Sequence, residues 1–178
     1  LESYLNNLLT VSLFKDYAPN GLQVEGKREI KRIVTGVTAS QALIDEAIRL
    51  QADALLVHHG YFWPGESQPI RGMKGQRIRS LIKNDINLLA YHLPLDAHIH
   101  LGNNAQLGKQ LGLTGIAPIQ PDDPQCLVFH GYLPEPALTS AFSEHISLAL
   151  NRTPLISHHQ EFTLRHIAWC TGGAQNYI

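Results

Sequence analysis

The sequence lacks several features that would point directly to a function. It has only two cysteines, Cys126 and Cys170, which are far apart and show no Cys-x-x-Cys spacing. Neither a disulfide framework nor a cysteine zinc site is therefore indicated. No Gly-x-Gly-x-x-Gly, Gly-x-x-x-x-Gly-Lys-Ser/Thr or Gly-x-Ser-x-Gly motif occurs. Dinucleotide binding, P-loop nucleotide chemistry and a serine nucleophile have no support in the sequence.

Long apolar runs and an excess of one charge are also missing. No apolar segment is long enough to cross a bilayer and no basic leader opens the sequence, so we expect a soluble, cytoplasmic protein without a membrane partner. The formal net charge of -1 provides no global positive field for nucleic acid. Histidine is abundant, with ten among 178 residues, which directs attention to metal binding or proton transfer.

Apolar spacing and turn residues predict alternating strands and helices. Residues 1–10 have the spacing of a short amphipathic helix, and residues 15–26, with Asn20-Gly21, are predicted to form a loop. Thr38 is the predicted cap of the helix that follows the first strand. Strands are predicted at 30–38, 52–60 and 86–92, and helices at 39–51, 71–84 and 103–111. This alternation predicts an α/β fold with right-handed parallel crossovers.

The chain is expected to form two α/β lobes, with a mainly parallel sheet in the first. Residues 1–114 are assigned to the first lobe, the proline-rich segment 115–125 to a linker, and 126–178 to a second lobe that is expected to be incomplete at its C-terminus. In the second lobe we predict strands at 126–133, 155–158 and 166–170 and a helix at 135–150.

Histidines and an aspartate are predicted to meet at one edge of the first sheet. His58 and His59 end the run "ADALLVHHG", and His92 and Asp96 follow the next strand. Ligand sites gather at the carboxyl ends of parallel strands. Because neighbouring side chains of a straight strand point to opposite faces, we expect the rings of His58 and His59 to diverge toward separate ions, with Asp96 as the bridging carboxylate. His92 could itself be a ligand, although a supporting hydrogen bond or ordinary packing is favoured.

Plainer interpretations exist for each histidine motif. An adjacent pair such as His58 and His59 is more often a hydrogen-bonded structural pair than a metal site, and the presence of Asp96 nearby lowers that preference only modestly. His98 and His100 in "DAHIH" could chelate an ion, although a solvated loop is favoured. The doublet at 158–159 is interpreted as structural because only Glu161 is available as a carboxylate partner.

Several motifs together resemble those of the Nif-three-like family, the GTP cyclohydrolase I type II homologues. The motifs are "DYAPNGLQVEG", "VTGVTAS", "ADALLVHHGYFW", "RGMKGQRIRSLI", "NDINLLAYHLPLDAH", "LGNNAQL" and "AWCTGG". The resemblance implies a toroidal homohexamer in the cytoplasm and two divalent metal ions, with His58, His59 and Asp96 as ligands and His92 close by. The ions could be zinc, iron, manganese or nickel. It also implies a further His-x-x-x-Glu ligand pair beyond Ile178, so we expect weak or absent metal occupancy in a chain that ends there.

Two functions from different classes fit these features. The first is a metal-dependent hydrolase for a nucleotide or another phosphorylated small molecule, with Arg71, Lys74 and Arg77 as candidate phosphate-binding residues. The second is a non-catalytic ring or interaction protein with structural metals, which could contact nucleic acid through basic residues. That basic set also includes Arg79 and Lys83 and, upstream, Lys27, Arg28, Lys31 and Arg32. A solvated helix face is the favoured interpretation of the basic residues.

Overall fold

A computed structural model describes residues 1–157 and 160–173. The elements in chain order are α1 (Glu2–Leu8), a 3-10 turn (Val11–Leu13), β1 (Gly21–Val24), β2 (Ile33–Thr38), α2 (Gln41–Arg49), β3 (Ala54–His59), α3 (Gly72–Lys83), β4 (Asn87–Ala90), α4 (Leu93–Ala97), α5 (Asn103–Gln110), β5 (Thr114–Pro118), β6 (Phe129–Leu138), α6 (Thr139–Leu150) and β7 (Thr163–Trp169). They form two compact units, residues 1–95 and 96–178.

The first unit is built on a four-stranded sheet in the order β1-β4-β3-β2. Strands β2, β3 and β4 are mutually parallel, as the alternation of helices and strands predicts. β3 has no polar alternation because both of its faces are buried. Leu55 and Val57 lie in a cluster with residues of α2 and α3, whereas Ala54 packs against Leu9 in a second cluster. The central strand is thereby fixed up to the two histidines that end it.

Two local predictions in the first unit are wrong. Residues 21–24 were predicted to lie in a loop, but they form β1, an edge strand paired antiparallel with β4. Thr38 was predicted to cap α2, but the cap is Ser40, whose Oγ accepts a hydrogen bond from the N–H of Leu43 over 3.3 Å. Thr38 instead ends β2 opposite His59, because the strand continues through it.

The second unit has a three-stranded antiparallel sheet in the order β5-β6-β7, with α5 and α6 beside it. Its core contains Leu111, Leu113 and Phe142, with Trp169 and other half-buried side chains against them. β6 continues to Leu138, so the helix predicted from 135 begins only at Thr139. Residues 155–157 of the predicted strand 155–158 are not in a strand, and residue 158 lies outside the described part.

The division between the units also differs from the predicted boundary. The sequence assigned 1–114 to the first lobe and 115–125 to a linker, whereas the first compact unit ends at Leu95 and the second begins at Asp96. Residues 114–118 form β5, whose backbone pairs with β6. Prolines in 115–125 suggested a linker, but Pro118 at the end of an edge strand needs no ladder hydrogen bond from its nitrogen. In the described part of the chain, no helix is long and apolar enough to span a membrane.

Candidate metal centre

Three imidazoles of the first unit form a compact group at the carboxyl ends of β3 and β4. His58 and His59 are the last residues of β3, and His92 follows β4 by two residues. One potential ligand atom from each of the three lies within 4.8 Å of the others. The ring centroid of His58 is 4.4 Å from that of His59 and 5.0 Å from that of His92. We refer to His58, His59 and His92 as the three-histidine cluster.

The Nδ1 atoms of the cluster have partners in the protein. Nδ1 of His58 is 2.9 Å from the carbonyl oxygen of Tyr91 and must donate, since a carbonyl only accepts. Nδ1 of His92 lies 2.8 Å from Oδ1 of Asp16, and Nδ1 of His59 lies 3.3 Å from the hydroxyl of Thr38. Donation from Nδ1 places the lone pair of a neutral imidazole on Nε2, the atom that would bind a metal.

Asp16 contacts the three-histidine cluster, although the sequence patterns did not single it out. Its side chain is 4% exposed and accepts hydrogen bonds from His92, the amide of Asn20 and the N–H of Leu93. Burial raises the pKa of this carboxyl, but the hydrogen bonds from these donors outweigh it and lower the pKa to about 2. Asp16 is therefore ionised at neutral pH and holds His92 in orientation, as the carboxylates behind metal-binding histidines do.

The rings of His58 and His59 converge, although the sequence predicted that they diverge. The last β3–β4 pair is Val57 with Ala90, so beyond this point β3 is paired only with β2. At the next residue, Gly60, a Cβ atom would lie 2.8 Å from that of Ala90 and would also collide with Gln23, so the backbone passes close to its neighbours there. A strand end that is paired on one side only can depart from the alternation that points neighbouring side chains to opposite faces.

Asp96, predicted as a ligand, belongs to the second unit. It is 4% exposed, and its Oδ1 accepts hydrogen bonds from Asn103 over 2.7 Å and from Thr171 over 3.3 Å. Its role as a metal ligand remains a prediction from the resemblance. His92, for which a supporting role was predicted, is itself a member of the three-histidine cluster.

The other histidine motifs are accounted for locally where they are described. Nδ1 of His98 accepts hydrogen bonds from the N–H groups of His100 and Leu101, as expected for a turn rather than a chelate. The doublet at 158–159 lies outside the described residues. Among the residues that the structure describes, the three-histidine cluster is the one group of at least three His, Cys, Asp or Glu with a metal-binding arrangement.

The three candidate phosphate-binding residues have different environments. Lys74 is 16% exposed and donates to Glu66 over 3.1 Å and to the carbonyl oxygen of Ser67 over 2.7 Å. Arg71 is exposed at the start of α3. Arg77 is half-buried, and no hydrogen-bond partner of its buried Nε is found among the described residues. Lys74 is thus engaged by the segment that precedes α3, whereas Arg71 and Arg77 remain candidate phosphate-binding residues.

The donor set of the cluster fits a divalent transition metal. Imidazole nitrogens suit zinc, copper, iron and nickel, and magnesium and calcium prefer oxygen ligands. The Nδ1 hydrogen bond of His58 to Tyr91 and that of His92 to Asp16 are the outer contacts typical of metal-binding histidines. Three protein ligands leave coordination positions for other groups, which is the arrangement of catalytic rather than closed structural zinc sites.

Proteins of similar sequence are named GTP cyclohydrolase 1 type 2 homolog. One from Vibrio cholerae is 56% identical over 180 residues, which cover 100% of this chain and 71% of that protein. Another from Pseudomonas aeruginosa is 52% identical over 170 residues, covering 96% of this chain and 67% of that protein. The chain therefore spans about 70% of the length of these relatives.

Solved structures also resemble the fold of this chain closely. Protein ybgI, described as of unknown function, superposes with a TM-score of 0.91 at 51% identity, over 99% of this chain and 70% of its own. A protein from Thermus thermophilus, TTHA1606, superposes with a TM-score of 0.82 at 31% identity, with 99% and 70% coverage. The family model Duf34/NIF3 (NGG1p interacting factor 3) matches residues 1–178. With a full-length family match and relatives above half identity, this chain belongs to the Duf34/NIF3 family.

Proposed function

We propose that this protein binds divalent metal through His58, His59 and His92 and acts as a metal-dependent hydrolase on a nucleotide or another phosphorylated small molecule. The observation that carries the proposal is the approach of three ligand atoms to within 4.8 Å of one another. Ligand atoms that the fold holds close to one another reduce the entropic cost of forming a metal site.

The contacts around the cluster support metal binding through Nε2. A divalent ion held there would act as a Lewis acid and lower the pKa of a coordinated water. Asp16 keeps the Nδ1 proton on His92, and the carbonyl of Tyr91 does the same for His58. With these protons fixed, the two side chains offer Nε2 without a change of tautomer.

The substrate class is proposed from two sources. The relatives are named for GTP cyclohydrolase, an enzyme of nucleotide chemistry, and that name is extended to this chain only as a proposal. Arg71, which immediately precedes α3, and Arg77 within it supply guanidinium groups, which bind phosphate in a bidentate manner. A second metal ion, with Asp96 as ligand, and a cytoplasmic homohexamer are carried over from the family resemblance as parts of the same proposal.

Binding and turnover are tested by loading the metal-free chain with Zn²⁺, Mn²⁺, Fe²⁺ or Ni²⁺ and assaying nucleoside phosphates and simple phosphate esters. We expect metal-dependent hydrolysis that is lost in His92→Ala and kept in the matched variant His100→Ala. Metal binding without metal-dependent turnover over the whole panel would reject the hydrolase and favour the non-catalytic ring protein. Salt-sensitive binding to duplex DNA would then support its nucleic-acid form.

A further inference from the structure

We infer that Trp63 is a positioning residue that holds the imidazoles of His59 and His92 in place and closes one side of the three-histidine cluster. The inference rests on the proposed metal-binding function for its meaning, but the ring contacts can be tested without metal. Trp63 belongs to residues 60–67, which connect β3 toward α3 and which we call the aromatic loop.

The indole of Trp63 contacts two of the three cluster rings edge-on. Its ring centroid is 4.9 Å from that of His92, with an interplanar angle of 86°. The centroid distance to His59 is 5.9 Å and the angle is 60°. Edge-to-face packing is a favoured geometry for aromatic pairs, so the indole restricts rotation of both imidazoles. His92 is consequently held from two directions, by Asp16 at Nδ1 and by Trp63 against the ring.

Contacts of Tyr61 and Trp63, the residues before and after Phe62, fix the position of the indole. The Nε1–H of Trp63 donates to the carbonyl oxygen of Gly60 over 3.2 Å. Tyr61 is buried; its N–H donates to Gln23 over 2.7 Å and its hydroxyl to the carbonyl oxygen of Ala39, also over 2.7 Å. The start of the loop is thus held in the first unit by Gln23 and Ala39. The indole of Trp63 is in turn hydrogen-bonded to this start of the loop, at Gly60.

Phe62 has a backbone conformation that aromatic residues rarely adopt. Its φ is +68°, in the left-handed region that favours glycine. Such a conformation persists where the surroundings impose it, and it is often found at functional sites. Across this residue the Nε1–H of Trp63 donates back to the carbonyl oxygen of Gly60, and the indole lies against the rings of His59 and His92.

Lys74 supplies the contacts that keep the loop in this conformation. Glu66 Oε2 accepts from the N–H of Phe62 and from Nζ of Lys74, both over 3.1 Å. Nζ of Lys74 also donates to Ser67 and lies 5.7 Å from the ring centroid of Phe62. Lys74 therefore connects α3 to the aromatic loop, which explains why its side chain is only 16% exposed. This role differs from the phosphate binding that was predicted for Lys74.

The ring contacts are tested in the metal-free protein by nuclear magnetic resonance of the imidazole C–H protons. We expect ring-current displacement of the His59 and His92 signals, loss of that displacement in Trp63→Ala, and retention in Trp169→Phe, which removes the other tryptophan of the chain. Trp63→Phe should retain a smaller displacement because it keeps an aromatic edge. Unchanged His59 and His92 signals in a folded Trp63→Ala protein would overturn the inference.

The effect on the metal site is tested by titration with Ni²⁺, followed by calorimetry and by the emission of Trp63 in the Trp169→Phe background. We expect stoichiometric Ni²⁺ to quench the emission of Trp63 more strongly than it quenches N-acetyltryptophanamide by collision. In Trp63→Ala, calorimetry should show a Ni²⁺ affinity roughly tenfold lower than that of the wild type. Lys74→Met should weaken binding in the same direction, whereas His100→Ala, in the exposed turn outside this loop, should preserve it.

The two hypotheses fail in different ways. If the wild-type chain binds no Ni²⁺ but its imidazole signals depend on Trp63, the proposed metal function is wrong and the positioning role stands. If Ni²⁺ binds equally well to Trp63→Ala and the emission of Trp63 follows collisional quenching alone, the metal function stands and the positioning role is wrong.

Discussion

Asp16 and His92 are 76 residues apart in the sequence, yet the carboxylate of one accepts a hydrogen bond from the ring of the other over 2.8 Å. The same carboxylate accepts from the N–H of Leu93, the residue after His92. Asp16 therefore orients both the imidazole and the backbone that carries it. A loop residue outside the sheet thus controls the geometry of a ring at the sheet edge.

Replacing Asp16 should weaken metal binding while the fold persists. In Asp16→Asn the charge that favours the Nδ1 proton of His92 is lost, and we expect Zn²⁺ or Ni²⁺ affinity to fall by about 10- to 100-fold, the usual effect of removing an outer contact. Isothermal titration calorimetry measures this, and circular dichroism checks the fold. Asp122→Asn, an exposed aspartate in the second unit, makes the same charge change and should bind as the wild type does. Equal affinity of the two variants would contradict the assigned role of Asp16.

The three-histidine cluster makes a direct prediction about metal content. His58→Ala, His59→Ala and His92→Ala should each reduce the metal bound per chain, because each removes one of three converging ligand atoms. His100→Ala, in the exposed turn, should leave it unchanged. Elemental analysis after dialysis against dilute metal provides the measurement. A loss in Asp96→Asn equal to that of His92→Ala would support the ligand role implied by the resemblance, and full retention would argue against it.

The main sheet and the position of two site histidines could be predicted because their signals are local. The unalternating run that becomes β3 indicates a strand buried on both faces, and its last two residues therefore fall at the carboxyl edge. Parallel pairing follows from the alternation of strands with helices. These inferences need only a few neighbouring residues, and the structure confirms them.

The missed features depend on contacts that no local pattern encodes. β1 has only four residues and an irregular register between Leu22 and Val24, so it shows no regular period. The partnership of Asp16 with His92 joins segments 76 residues apart. The convergence of His58 and His59 depends on where the pairing of β3 with β4 ends, and the sequence of β3 alone does not show this position. Side-chain geometry at element ends was therefore harder to predict than the elements themselves.

Stability should fall at acidic pH in a way that depends on Asp53. The side chain of Lys27 and the N–H groups of Lys31 and Arg32 donate to its carboxylate and hold its pKa well below the ordinary value of 3.8. A carboxyl whose pKa is lower in the folded than in the unfolded state stabilises the fold at pH values above its unfolded-state pKa. This stabilisation is lost progressively as the pH falls from the unfolded-state pKa toward the folded-state pKa. Urea unfolding from pH 7 to pH 3 should show the difference between wild type and Asp53→Asn shrinking with pH.

The control for this experiment is Asp122→Asn, whose aspartate is exposed. It should follow the wild-type pH dependence at each point of the series. A constant difference between wild type and Asp53→Asn across the whole range would mean that the charge of Asp53 contributes nothing, and that any loss of stability comes from packing alone.

The second unit should depend strongly on the buried amide of Asn104. This side chain is fully buried; Nδ2 donates to the carbonyl oxygens of Asp96 and Leu127, each over 3.1 Å, and Oδ1 accepts from the N–H of Thr171 over 2.8 Å. Asn104→Leu keeps the approximate volume but leaves three backbone groups without this partner. Since each unsatisfied buried group costs about 1–3 kcal/mol, we expect the free energy of unfolding to fall by at least about 2 kcal/mol.

Chemical denaturation followed by the emission of Trp169 in a Trp63→Phe background reports on this unit, because Nε1 of Trp169 donates to the backbone carbonyl of Asn104 over 3.0 Å. Asn7→Leu, an exposed asparagine of α1, is the matched control and should change the free energy of unfolding by less than about 0.5 kcal/mol. Similar unfolding curves for Asn104→Leu and Asn7→Leu would show that water satisfies the three backbone groups, and that the amide fixes local geometry without contributing to stability.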